Sequence, residues 1–375
     1  MQLRVALIHD WLITHRGGEK VFSAISEIFP KADIFTLFVD KNNFIPLLTK
    51  RRCYTSWMQR LPRVKHYYRF LLPWMPAAIE SFQLRDYDLI ISSSHCVAKG
   101  VRVPKGIPHI CYCHTPMRYA WNLQELYLQH VPRVLRSLVK SQLLKLKDWD
   151  RNSNQGVTQF VANGKTVQQR IKNAYDRDSF IVHPPVDVNF YCPDKDTRRE
   201  SYYLVVSALV PNKRIDLAIK ACIALDKKLV IIGTGSELSR LKIIASSGIH
   251  FLGWTENETI RYHLRRCAAL LFPGEEDFGI VPLEANACGC PVIAYGRSGA
   301  TETIHPLGTA SEPTGVWFQE ATAESLIEAI QKFESYRHVI LPENCRKNAL
   351  PYSYNAFYHQ FHKICIRTLN NDRCA

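Results

Sequence analysis

No run of apolar residues in this 375-residue chain reaches the length of a membrane span, for which about 20 consecutive apolar positions are needed. Cys-x-x-Cys pairs are missing too. The twelve cysteines are scattered, and the tightest sets, Cys111-Tyr112-Cys113-His114 and Cys288-Gly289-Cys290, are too close for a zinc layout. Buried, reduced thiols in a cytoplasmic protein are the expectation. Met1 leads directly into Leu3-Arg4-Val5-Ala6-Leu7-Ile8, which reads as a core strand and not as a secretory signal. There is no internal repeat, no low-complexity tract, no six-residue dinucleotide fingerprint and no Asp/Glu/His cluster at divalent-metal spacing. Those absences argue against a nicotinamide enzyme and against a bound metal. What is present is ordinary for a soluble protein: 46% hydrophobic and 22% charged residues, in a length that suits two or three domains.

Acidic residues are absent from two stretches. Between Asp40 and Glu80 there are eight Lys/Arg and no acid, and residues 131–147 add five more basic residues, again with no acid. Together these hold nearly all of the formal net charge of +14. Nucleic acid and an anionic membrane would both be attracted. The interleaved Tyr54, Trp57, Met58, Leu61, Tyr67, Tyr68, Phe70, Leu71, Leu72, Trp74 and Met75 favour lipid over nucleic acid. From Arg133 to Lys140 basic residues recur at three- and four-residue spacing around an apolar stripe, the pattern of a helix lying on a headgroup layer. A core-facing stripe with a solvated basic face is the alternative. Arg60, Arg63, Lys65 and Arg69, in the stretch from Lys50 to Met75, are the candidate acceptor-side and membrane-side cations.

Short apolar strands alternate with helical patterns along the whole chain, which argues for parallel α/β layers. Strands are predicted at 3–8, 33–37, 89–92, 109–113, 159–162 and 180–183, then at 203–207, 229–233, 250–252, 269–272, 292–294 and 316–318. A polar, proline-containing stretch at 184–201 separates the two series. Two doubly wound domains follow, with ligands expected beyond the carboxyl ends of the strands, in a cleft between the domains.

The densest chemistry lies at Glu276-Asp277-Phe278-Gly279-Ile280-Val281-Pro282-Leu283-Glu284. A buried strand ends at Pro273-Gly274, and a helix starts at Ile280 with proline in its first turn. Amides of Phe278, Gly279 and Ile280 would point out of the helix N-terminus, toward a phosphate or a polyhydroxylated ring. Near the start, a strand, Arg16-Gly17-Gly18-Glu19-Lys20 and a helix form a possible phosphate cradle; a tight turn without ligand fits the same residues. Leu204 to Arg214, then Gly233-Thr234-Gly235-Ser236-Glu237, repeat the strand-to-loop arrangement.

These stretches, with Gly289-Cys290-Pro291-Val292, Gly299-Ala300-Thr301-Glu302 and the N-terminal His9-Asp10-Trp11-Leu12, resemble retaining glycosyltransferases of family 4. The wording is similar to bacterial mannosyltransferases of O-antigen and exopolysaccharide assembly. The resemblance implies the α/β GT-B fold: two Rossmann-like domains facing a cleft, residues 1–190 on the acceptor side and 191–352 binding the nucleotide-sugar. The last helix, about 353–375, would cross back to the first domain. It implies Glu276 holding sugar hydroxyls, Glu284 holding ribose, and Phe278, Gly279, Ile280 and Leu283 lining the donor. It puts Gly17, Gly18 and Lys213 on the diphosphate, Gly233 and Gly235 in a second glycine loop, and Trp254 beside the nucleobase. His114 would face the donor sugar, with Arg118 and Tyr119 at the mouth of the cleft. Relatives carry an arginine where this chain has Ala208, so one clamp cation is missing; Arg214 or Arg16 is the substitute. The implied activity is metal-independent transfer of a hexose, mannose from GDP-mannose, to a polyprenyl-linked or polysaccharide acceptor. The protein would need no cofactor and sit on the inner face of the cytoplasmic membrane. A UDP-sugar transferase of the same fold, a nucleotide-sugar epimerase and a silent nucleotide-sugar-binding protein remain as alternatives.

Overall fold

The computed structural model describes residues 3–14, 16–49, 51–121, 128 and 131–373, with backbone alone at 45, 46 and 371–373. The chain divides into two compact units. The first comprises residues 1–184 and 357–375, the second residues 185–356.

The first unit holds a seven-stranded parallel sheet: β1 (Val5–His9), β2 (Asp33–Thr36), β3 (Cys53–Thr55), β4 (Leu89–Ser94), β5 (His109–Cys113), β6 (Gln159–Ala162) and β7 (Ser179–Ile181). Their order across the sheet is β3-β2-β1-β4-β5-β6-β7. The second unit holds a six-stranded parallel sheet of β8 (Tyr203–Val206), β9 (Leu229–Ile232), β10 (Ile249–Gly253), β11 (Ala269–Phe272), β12 (Val292–Tyr295) and β13 (Gly315–Phe318). Its order is β10-β9-β8-β11-β12-β13. Both are doubly wound. Strand order reverses beside β1 and β4 in the first sheet and beside β8 and β11 in the second, where ligand sites form in such folds.

Continuous apolar strands fit sheets buried on both faces. In the first sheet Ala6, Ile8, Phe35 and Ile90 enter one core, and Val5, Leu7, Ile34 and Ile91 the other. The second sheet splits in the same way, Val205, Ile231 and Leu271 against Leu204, Ile232 and Leu270. The final helix, Tyr354–Arg373, lays Phe357, Phe361 and Ile364 into the first unit's core beside Tyr112. The chain therefore returns to its first sheet, as the sequence suggested.

Three expectations change. The division falls after Pro184 and not at 190, because Val186, Val188 and Tyr191 pack into the second unit's core and the Val186 amide bonds the Tyr352 carbonyl at 2.8 Å. β3 was not foreseen. It is a three-residue edge strand, half-buried, inside the basic-aromatic stretch. That stretch is also not one lipid-facing surface. Met58, Val64 and Met75 are buried, and Leu61, Tyr68, Leu71 and Leu72 pack against the same core. Lys50, at its start, lies outside the described residues.

Phe361 is fully buried and stacks on Phe357 with ring centroids 5.7 Å apart. Phe361→Ala is expected to destabilise the protein by about 3–5 kcal/mol, the usual cost of truncating a buried aromatic. Urea denaturation checks this; a change under about 1 kcal/mol would show that the last helix is not part of the core.

Candidate active site

In the second unit the loop after β8 and the loop after β11 meet at the switch point. Gly274 makes the meeting possible: a Cβ there would lie 2.7 Å from Lys213 Cα and 2.9 Å from the Asn212 carbonyl. Without side chain at 274, the turn Pro211–Lys213 comes close enough for Lys213 Nζ to pair with Glu276 Oε1. Each side chain of the pair keeps about a fifth to a quarter of its surface exposed. A second glycine holds the acid from the other side. Gly299 donates its amide to the Glu276 carbonyl at 2.9 Å, and a Cβ at 299 would overlap the Phe278 backbone. Ser298 Oγ donates to Glu275.

The helix Ile280–Ala287 starts two residues after Phe278. Its cap, Gly279, has φ +91°, a left-handed conformation that glycine adopts without strain. Phe278, Leu283 and Glu284 are buried, and the Phe278 ring packs at 5.9 Å from that of Tyr352. The first turn of any helix leaves its amides without intrahelical acceptors. Among the described residues no protein acceptor takes those of Gly279 or Ile280. A cation, a carboxylate and outward-facing amides thus lie together at the carboxyl edge of this sheet.

Two other glycines have a different reason. A Cβ at Gly233 or Gly235 would run into the carbonyls of Ser207 or Leu209, and the Leu209 amide bonds the Thr234 carbonyl at 2.9 Å. Backbone packing between the β8 and β9 loops accounts for both. Trp254, just after β10, is 70% exposed, a bare aromatic face at the same edge. Arg214 takes a different part from the one expected of a clamp. Its guanidinium bonds Asp216 at 3.2 and 3.4 Å and the Ala321 carbonyl at 3.3 Å, so it staples its own loop.

The first unit's switch point is built from histidines. His9 ends β1, and His114 directly follows β5. Their ring centroids lie 6.4 Å apart, and His95 lies 5.8 Å from His9 and 6.3 Å from His114. Asp10 is fully buried and accepts the amides of His95, Cys96, Val97 and Ala98 at 2.6–3.0 Å, with His95 Nδ1 also at 3.0 Å. It pins the loop after β4. Above the rings, Gly17 and Gly18 open the helix Gly17–Ile28, with Arg16 at its cap, where the Arg16 amide donates to Glu19 at 3.1 Å. A Cβ on Gly18 would sit 3.8 Å from His114 Nε2, an ordinary contact. Nothing among the described residues therefore requires glycine at 18. Asn163 Nδ2 donates to the His114 carbonyl at 3.1 Å. Arg118 and Tyr119 begin the short helix Arg118–Trp121 and are half-buried.

With this geometry in view, the comparisons bear on the second unit. The model of "Glycosyl transferases group 1" matches residues 194–350. That stretch of the second unit is similar to group 1 glycosyl transferases. Family 4, the resemblance read from the sequence, is consistent with that. The fold is GT-B. Over 97% of this chain and 100% of the other, it superposes on Anabaena Alr3699/HepE, solved with UDP and glucose, at TM-score 0.71 and 15% identity. It superposes on sucrose-phosphate synthase from Thermosynechococcus elongatus at TM-score 0.76 and 17% identity, over 99% and 100% of the two chains. A Corynebacterium glutamicum protein named GDP-mannose-dependent monoacylated alpha-(1-6)-phosphatidylinositol monomannoside mannosyltransferase is 33% identical over 43% of this chain and 50% of its own. The human alpha-1,3/1,6-mannosyltransferase is 24% identical over 65% of each chain. The match spans about half the length of the first of these relatives.

In the second unit Lys213 pairs with Glu276, Gly279 caps the helix that carries Ile280, Leu283 and Glu284, and Arg214 bonds Asp216 and the Ala321 carbonyl. Sequence reasoning passed over Gly274, Gly299's backbone role, His9, Asp10 and Ser93. Pro273-Gly274 after a strand was the only sign of the first.

Burial holds His9 well below the ordinary imidazole value, aided by His95 and His114. Burial also takes His114 down to about 3 and His109 to about 4. An unfolded chain protonates these rings near pH 6.5, and the folded protein does not. Stability is therefore complete above that value and lost as pH falls below it, by about 1.4 kcal/mol per pH unit for each ring. The buried Glu19 carboxyl, pushed up by desolvation, acts in the opposite sense over the window above its unfolded value. Three rings outweigh one acid, so the urea midpoint should drop between about pH 7 and pH 5. A flat midpoint would show the rings to be solvated. Gly18→Ala should fold normally, with helix stability unchanged or raised by up to about 1 kcal/mol, whereas Gly274→Ala should destabilise through its backbone clash. Thermal melts of the two variants make the comparison.

Proposed function

We propose that the protein is a retaining hexosyltransferase that moves mannose from GDP-mannose to a lipid-linked acceptor. The observation that carries this is the Lys213–Glu276 pair beside the Gly279-capped helix, in a unit that is similar to group 1 glycosyl transferases and whose relatives bear the names of GDP-mannose-dependent mannosyltransferases. A UDP-sugar is the alternative donor.

In this reading the bond between the anomeric carbon and the diphosphate breaks, and negative charge grows on the departing phosphate. Lys213 and the amides of Gly279 and Ile280 stabilise that charge more in the transition state than before it. Glu276 orients the sugar hydroxyls, and Glu284 holds the ribose. The Trp254 face suits a nucleobase. Gly17, Gly18 and His114 act on substrate at the edge of the first sheet. These groups serve without metal. Among the described residues no set of three or more His, Cys, Asp or Glu could hold a metal ion, and activity should persist in EDTA.

The acceptor side draws support from the surface of the first unit. Trp57, Phe70 and Trp74 are exposed, Phe70 at 80%, among the exposed Arg60, Arg63, Lys65 and Arg69. The exposed Val134 and Leu138 stand with Arg133, Arg136 and Lys140, at the start of the helix Arg136–Ser153, which packs against residues 68–74. Lys65 is tied to Asp40 at 3.1 Å. No helix among the described residues is long and apolar enough to cross a membrane. Peripheral attachment to an anionic cytoplasmic leaflet fits this mixture.

A panel of labelled GDP- and UDP-sugars, offered with membranes, tests the reaction. GDP-mannose should label a lipid fraction, and Glu276→Gln should reduce transfer by about 100-fold or more. Near-normal turnover in that variant would remove Glu276 from the site. Replacing Arg60, Arg63, Lys65 and Arg69 together by Gln should release the protein from anionic vesicles, at roughly 1 kcal/mol per cation at low salt. Wild-type protein indifferent to lipid charge would contradict the membrane assignment.

A further inference from the structure

Ser93, the penultimate residue of β4, is buried between two imidazoles. His9 Nδ1 lies 3.0 Å from the Ser93 carbonyl and 3.1 Å from Ser93 Oγ. His114 Nε2 lies 2.8 Å from the same Oγ. The carbonyl can only accept, so His9 carries its proton on Nδ1 and donates it toward both oxygens. Ser93 Oγ then has its own proton left to place. His114 Nε2 is the one acceptor within reach among the described residues. Were Nε2 protonated instead, it would donate to Oγ, and the serine proton would be buried without an acceptor, a costly arrangement. The Ser93 hydroxyl and carbonyl are both satisfied when His114 accepts from Ser93 at Nε2 and bears its proton on Nδ1, while the buried His9 Nε2 is left without a partner among the described residues. No protein acceptor among the described residues takes Nδ1, and the Asn163 amide fixes the backbone at His114 through its carbonyl at 3.1 Å.

We propose that Ser93 is a positioning residue that fixes His114 in the Nδ1–H tautomer, so that the ring meets a substrate hydroxyl as a hydrogen-bond donor. His9 completes the device by committing the serine lone pair. This rests on the reading of His114 as substrate-facing. Geometry supplies the assignment; burial adds that the ring stays uncharged across ordinary assay conditions. An imidazole held neutral and in one tautomer is a fixed dipole, and a fixed dipole costs no reorganisation when charge moves in the reaction.

The test is ring-nitrogen NMR on the full chain with 15N-labelled histidine, the His114 signals being assigned by their loss in His114→Gln. In the wild type His114 should show a protonated Nδ1 and a bare Nε2, unchanged by titration through neutral pH. Ser93→Ala should move the ring to the Nε2–H form or a mixture, and lower kcat by about 10- to 100-fold with a smaller change in donor KM. Ser93→Thr, which keeps the hydroxyl, should restore both tautomer and kcat. A wild-type His114 protonated at Nε2 overturns the inference without any variant. So does a Ser93→Ala protein with unaltered tautomer and turnover. Should the tautomer be as stated while no sugar is transferred from any donor, the proposed reaction fails and the hydrogen-bond assignment stands.

Discussion

Two close backbone approaches set the geometry on which the second unit's candidate site depends. Gly274 admits the Lys213 turn against the loop after β11, and Gly299 holds the Glu276 carbonyl from the opposite side. A side chain at either position would overlap backbone, so the neighbouring loops would have to separate. The Lys213–Glu276 pair is thus fixed by main-chain packing more than by its own attraction. That attraction is modest, because a partly exposed ion pair contributes about 1 kcal/mol or less. Within the pair the two charges neutralise each other. In the proposed reaction a diphospho-sugar would offer each of them a better partner, phosphate for the lysine and hydroxyls for the carboxylate.

The first unit solves a related problem by burial. Asp10 gathers four amides and the His95 ring at the end of β1, which locks the loop after β4 beneath the Gly17–Gly18 turn. Ser93 and the two imidazoles beside it sit in the space this creates. A buried carboxylate with that many donors is satisfied, and a half-satisfied one would be costly. Rigidity at the carboxyl edge of this sheet therefore follows from hydrogen bonding, and at the edge of the other sheet from glycine packing. Both lie at the switch points of their sheets, where the two flanking strands diverge and leave room for a ligand.

Most of the architecture was legible in the sequence because both sheets are buried on two faces. Leu229-Val230-Ile231-Ile232 or Ala269-Leu270-Leu271-Phe272 can hardly be read otherwise than as core strands, and all the strands read from the sequence are present. β3 escaped because Cys53-Tyr54-Thr55 is short, lies at an edge and is only half-buried. Periodicity also could not separate lipid-facing from core-facing apolar residues between Trp57 and Met75, since Met58 and Val64 alternate with exposed neighbours. At the site, the motif around Glu276 was visible through its residue types. Composition does not show that Asp216, two positions on, pairs with the Arg214 guanidinium. The Ser93–His114 contact joins a residue of β4 to one just past the end of neighbouring β5, 21 positions on, and a single sequence contains no register.

The central claim is that Lys213 and Glu276 divide the donor between them, phosphate to one and sugar to the other. Calorimetric titration of GDP into Lys213→Ala and Glu276→Gln tests it most directly, with no chemistry or acceptor involved. Losing the lysine removes a charge-assisted bond and leaves a carboxylate beside the phosphates. Affinity should fall by about 1.5–3 kcal/mol or more, roughly ten- to 150-fold. Neutralising the acid frees the lysine, so Glu276→Gln should bind GDP as tightly as wild type or tighter. Equal losses in the two variants, or no loss in Lys213→Ala, would contradict the account.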